Sequence, residues 1–150
     1  MRILTAWHPH WATGRASRRQ VAGLAFVFLW FFIGGIAHFV ATELEASIVP
    51  PWFPWPVAAV LVSGAFELLG AFGILARATR RQAGIGLFLL TLAVTPAHIY
   101  MLQQPGLFPV PLWALWLRLP IQAALLWLIL WATWRPRRES APHTPRHAGG

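Results

Sequence analysis

Val57–Leu75, VAAVLVSGAFELLGAFGIL, is an apolar run interrupted by a single charge, Glu67. A helix of that length rises about 28 Å at about 1.5 Å per residue, close to the hydrocarbon thickness of a bilayer. A carboxylate near the middle of such a span is costly in lipid, so Glu67 is expected to face protein or trapped water. It is a functional-site candidate for that reason. Ser63, Glu67 and Gly70 recur at i, i+4 and i+7, which puts a groove of small residues beside the carboxylate.

Three similar runs flank this one, at 21–40, 83–102 and 112–134. Composition agrees with a membrane protein: 57% of the residues are apolar and 11% charged, against about 45–50% and about 25% in a soluble domain. Gly35-Ile36-Ala37 loosely resembles a leader-cleavage site, but the run is longer than a leader's apolar region and three more spans follow it. The fold expected is all-α, a polytopic membrane protein built as an antiparallel four-helix transmembrane bundle. Residues 1–20 read as a basic cytoplasmic segment and 135–150 as a disordered cytoplasmic tail. The loop 41–56 carries Pro50, Pro51, Pro54 and Pro56 with Trp52 and Trp55, which suits an interfacial belt.

Eleven of the twelve basic residues, all Arg, lie in 1–20, 76–82 and 135–150. The other two loops have none, so the positive-inside rule places both termini in the cytoplasm. Short Arg clusters between apolar runs point to anionic headgroups, and nucleic acid is not an expected partner. Cysteine is absent. That excludes disulfides, a thiol nucleophile and Cys-held iron–sulfur clusters.

The two halves echo each other. Ala37-His38 and Ala97-His98 close spans one and three, and Phe53-Pro54-Trp55-Pro56 and Phe108-Pro109-Val110-Pro111 precede spans two and four. Glu67 and Gln122 stand at matching positions. The pattern resembles two hairpins related by an axis along the membrane normal, as in parallel transporter repeats.

Five polar residues, Glu67, Arg118, Gln122, His38 and His98, fall in the outer half or at the centre of the spans. Arg118 and Gln122 share a face, as do Thr91, Thr95 and His98, and Gly34 with His38. If these faces meet, a polar pocket opens outward. Arg118 is the expected counter-ion of Glu67, and Gln122 is expected to bridge helices. Helical rise places His38 about two turns shallower than Glu67, so a metal site is not expected. Ser63 has no base on its helix and no strand–turn–helix elbow, so no catalytic residue is assigned.

The strings Gly35-Ile36-Ala37-His38-Phe39, Val49-Pro50-Pro51-Trp52-Phe53-Pro54-Trp55-Pro56, Ser63-Gly64 with Glu67 and Gly70, Arg77 with Arg80-Arg81, Pro96-Ala97-His98-Ile99-Tyr100-Met101 and Arg118-Leu119-Pro120-Ile121-Gln122 occur in that order. Together they resemble the DoxX-like family of small bacterial four-helix membrane proteins, over residues 30–134. The resemblance implies an inner-membrane bundle of a type mostly without assigned function. Its eponymous member is a subunit linked to thiosulfate:quinone oxidoreduction. His98 departs from the family pattern, which has Asn there. Ala41-Thr42-Glu43 replaces a Pro-containing stretch.

The reading favoured by these residues is a non-enzymatic inner-membrane protein whose outer-facing polar pocket takes a small lipophilic partner, or a small subunit of a membrane assembly. No cofactor is expected on it. One alternative is a redox subunit, with His38 and His98 as haem ligands or quinone contacts. Another is a small proton-coupled transporter in which Glu67 titrates, working as a homodimer.

Overall fold

The computed structural model describes residues 17–134, and within them the chain is helical with no strand. The proposed tail 135–150, and residues 1–16 of the proposed basic segment, lie outside the described residues. The elements are α1 (Arg18–Val40), α2 (Thr42–Ser47), α3 (Pro56–Leu75), α4 (Arg80–Ala93), α5 (Thr95–Gln103), a 3₁₀ turn at Pro105–Leu107 and α6 (Leu112–Thr133). Four stretches are long and apolar enough to cross a membrane: α1, α3, α4 with α5, and α6.

Local chemistry explains most of the boundaries. Ser17 caps α1 by accepting the Gln20 backbone N–H at 3.2 Å, so this helix starts three residues before the apolar run does. Pro56 stands in the first turn of α3, where its missing N–H costs nothing. The far end of α3 is sealed by side chains. Arg80 donates through Nε to the Ile74 carbonyl at 2.7 Å and through Nη2 to the Leu75 carbonyl at 3.0 Å. Thr79 donates to the Gly73 carbonyl at 2.7 Å. These bonds occupy carbonyls that a helix end leaves open, and they hold α3 and α4 together across a turn of four residues, 76–79.

The third span is not the single helix expected over 83–102. It breaks at Val94, between α4 and α5. Pro96 is the cause, because it offers no N–H to the Leu92 carbonyl and its ring crowds that turn. Pro120, by contrast, sits inside an uninterrupted α6. The loop 41–56 also differs from expectation, since it folds its first part into α2, which lies against α3.

α1 packs on α3, α3 on α4, α4 on α6, and α6 back on α1, which closes a four-membered ring with α3 and α6 on opposite sides. The two ends of the ring differ. The end holding the 76–79 turn is filled by Leu24, Val27, Phe31, Ala71, Ile74, Leu87, Leu125, Ile129 and Ala132. Phe28 and Phe32 of α1 meet Phe72 edge-on at 5.9 and 5.8 Å. At the other end, which carries the two longer loops, the ring is held open by a cavity. Large side chains including Leu29, Ile33, Phe66, Leu69, Phe72, Leu89, Trp113, Trp116 and Trp127 are each more than half exposed. An apolar surface that wide marks a site of contact with a membrane or a protein partner.

The α1–α3 seam is a close one, built on two glycines. Gly35 and Gly64 face each other there. A Cβ on Gly64 would stand 2.7 Å from the His38 Cβ and 3.1 Å from the Gly35 carbonyl oxygen. A Cβ on Gly35 would stand 2.8 Å from the Leu68 Cγ and 3.1 Å from the Gly64 carbonyl oxygen. Only hydrogen fits at either position, and the two backbones therefore meet.

Candidate functional site

The close seam decides where His38 goes. Gly64 lies opposite His38, eight residues into α3, whereas α1 ends two residues beyond His38 at Val40. α1 thus stops about 9 Å short of the height at which α3 begins, taking about 1.5 Å per residue. The chain turns there: the Thr42 hydroxyl donates to the His38 carbonyl at 2.7 Å, and α2 with residues 48–53 fills the step.

This stagger corrects two expectations. His38 is not two turns from Glu67; its Nε2 lies 3.6 Å from Glu67 Oε1. Arg118 is not the partner of Glu67 either. It belongs to α6, across the ring from α3, and among the described residues it forms no hydrogen bond or salt bridge. A depth count assumes that spans start at a common level, and here they do not.

His38 Nδ1 is sealed from the surroundings and has no hydrogen-bond partner. An orphaned lone pair is cheaper to bury than an orphaned N–H. The proton of a neutral His38 ring therefore belongs on Nε2, facing the carboxylate. A Cβ on Gly34 would stand 2.8 Å from Glu67 Oε2, so Gly34 leaves the space into which the second carboxylate oxygen reaches. The sequence pairing of Gly34 with His38 on one face identified this wall, though not its partner.

A second polar group is built on the opposite wall, and the break at Val94 supplies its anchor. The buried Gln122 side chain donates through Nε2 to the Thr91 carbonyl at 2.8 Å and to the Thr95 hydroxyl at 2.6 Å. Its Oε1 lies 2.5 Å from His98 Nδ1. Thr95 donates in turn to the Thr91 carbonyl at 3.4 Å. A backbone carbonyl can only accept, so the Gln122 amide has one possible orientation. Thr91, Thr95 and His98 share a face of the third span as expected, and Gln122 bridges helices as expected.

Both groups line one cavity of about 960 Å³. Glu67 and His38 stand on one side, Gln122, His98 and Arg118 on the other, with Thr91 at the base. The remaining wall is largely apolar, including Trp30, Phe31, Ile33, Val60, Leu90 and Leu125. Ile48, Val49, Pro50, Trp52 and Phe53 border it at the loop end. The volume is at the upper end of the range for ligand pockets, about 300–1,000 Å³, and a few convergent polar groups in an apolar wall are the usual make-up of such pockets.

Sequence reasoning missed Glu45. It reads as a loop charge, yet α2 carries it to the cavity border, half-buried. Nothing in the six residues of α2 has a period that foretells this. The break at Val94 was foreshadowed only by Pro96. Among the described residues no cluster of three or more His, Cys, Asp or Glu side chains converges to hold a metal ion.

No curated protein and no solved structure matches the chain. A family model does, over residues 17–135, which spans α1 to the end of α6 and both polar walls. The chain belongs to that family, described as a domain of unknown function, DUF8561.

Proposed function

We propose that this protein is an integral protein of the bacterial inner membrane, of DoxX-like type, that binds a small amphipathic lipophile in its intramembrane cavity without transforming it. The observation that carries this reading is the single cavity of about 960 Å³ that joins all five polar residues to a largely apolar wall. A purely structural polar core closes on itself. Here Arg118 has no hydrogen-bonding or ion-pair partner among the described residues, and His38 Nδ1 is an orphan.

In this reading the four spans cross alternately. Supporting it, Gly23 near the start of α1 meets Trp131 and Ala132 near the end of α6, and Gly73 near the end of α3 meets Ala83 near the start of α4. The Arg clusters at the 76–79 turn end face the cytoplasm, and the cavity faces outward. The lipophile enters from the bilayer. Its tail replaces lipid contacts with Trp30, Ile33 and Leu125, and its head meets the polar walls.

Native mass spectrometry of the protein released from detergent micelles tests this. Wild-type protein is expected to retain a small molecule that Ser63→Trp, which fills the cavity on the loop side of Glu67, loses while remaining folded by circular dichroism. Equal retention by both places the lipid on the outer surface and ends the proposal. A second reading, a proton-coupled carrier, draws on the broken third span beside the cavity, a feature of ion-coupled transporters. Proteoliposome flux indifferent to Glu67→Gln rules it out.

A further inference from the structure

The hydrogen bonds behind the cavity wall fix more than the position of His98. The Thr91 carbonyl forces the NH₂ of Gln122 toward itself and Thr95, and this turns Gln122 Oε1 toward His98. That oxygen can only accept, so His98 Nδ1 must carry the proton. In the neutral ring Nε2 is then a bare lone pair, and a ring nitrogen's role is set by the bond its partner makes. Nε2 has no protein partner among the described residues and, unlike His38 Nδ1, is not sealed off. It is the accessible nitrogen of a ring that lines the cavity.

Arg118 stands one turn from Gln122 on α6, and His98 stands about one turn beyond Thr95 on α5. Both lie on the loop side of the Gln122–Thr95 bond, and both line the cavity. The same wall therefore offers a fixed acceptor and a donor that has no hydrogen-bond partner among the described residues.

We propose that the His98–Arg118 wall selects a hydroxyl-bearing lipophile, a phenol or alcohol whose O–H donates to His98 Nε2 while its oxygen accepts from the Arg118 guanidinium. An ether can satisfy Arg118 but leaves the His98 lone pair facing another lone pair. A carboxylate brings a charge against that lone pair, in a cavity that already holds the carboxyl groups of Glu67 and Glu45. The inference rests on the cavity reading and names the chemistry of its ligand.

Isothermal titration of the full chain in lipid nanodiscs, corrected for partition into empty discs, tests it with three probes: 4-nonylphenol, its methyl ether and decanoate. The phenol is expected to bind at least about tenfold more tightly than either of the others, which corresponds to about 1.4 kcal/mol. His98→Phe, which keeps the ring and removes the acceptor, is expected to bring the phenol to the level of the ether. Equal binding of phenol and ether in wild type, both lost in Ser63→Trp, overturns the hydroxyl inference and leaves the cavity reading standing. Binding of all probes undiminished by Ser63→Trp overturns both. Should His98→Phe not fold, ¹⁵N spectra of histidine-labelled wild type still decide. A proton on Nδ1, with the Nε2 resonance moved by the phenol and not by the ether, is the expected result; a proton on Nε2 sinks the proposal.

Discussion

Gly64→Ala is the sharpest test of the helix seam that builds the site. The added Cβ would stand 2.7 Å from the His38 Cβ and 3.1 Å from the Gly35 carbonyl oxygen. Comfortable carbon contacts begin at about 3.5 Å, so α1 and α3 must part by about 0.8 Å. Neither obstacle is the free end of a flexible side chain, and overpacking of this kind costs about 1–3 kcal/mol. The gain from replacing a helical glycine is about 1 kcal/mol at most. With the full glycine gain subtracted, the net expectation is a loss of up to about 2 kcal/mol. Gly86→Ala is the control, because nothing lies within 4 Å of a Cβ there, and it should be neutral or stabilising. Reversible unfolding in mixed micelles, followed by tryptophan fluorescence, measures both. If Gly64→Ala proves as stable as Gly86→Ala, the two backbones do not meet, and the placement of His38 beside Glu67 loses its cause.

Three further outcomes follow from other parts of the molecule. Gln122→Leu removes three hydrogen bonds and strands the His98 Nδ1 proton; at about 0.6 kcal/mol per interhelical bond in lipid, a loss of about 2 kcal/mol is expected in the same assay. Arg80→Leu frees the carbonyls of Ile74 and Leu75, and should cost about 1–2 kcal/mol while leaving lipophile retention in mass spectrometry unchanged. A green fluorescent protein fused at the C-terminus is expected to fluoresce, and alkaline phosphatase inserted in the 104–111 loop to be active; the reverse pattern would invert the orientation assigned from the Arg clusters.

The apolar runs carried the fold in plain sight. Three of the four are found as single long apolar helices and the third as α4 with α5, with ends shifted where a cap such as Ser17 extends a helix. Shared faces were equally legible, because helical spacing alone aligns Thr91, Thr95 and His98, or Gly34 and His38. Relative height was not. It depends on how far α1 stops short of the start of α3, which follows from the Gly35–Gly64 contact and from α2 filling the step. That is why His38 was set two turns from Glu67 when it is its neighbour. Two prolines in apolar spans also behave differently. Pro96 interrupts the third span, while Pro120 does not interrupt α6. The residue type is the same in both, so no local pattern announces which outcome follows.

A single thiol tests the cavity most directly, since the chain has no cysteine of its own. Ser63→Cys places it on the cavity wall, and Leu69→Cys places it on the outward face of the same helix, 68% exposed. In intact membranes a small water-soluble thiol reagent should label Cys at 63 at least about tenfold faster than Cys at 69, because only the polar cavity admits water and ionises the thiol. Equal rates at the two positions would contradict the account, leaving Glu67 and its neighbours as a closed polar core.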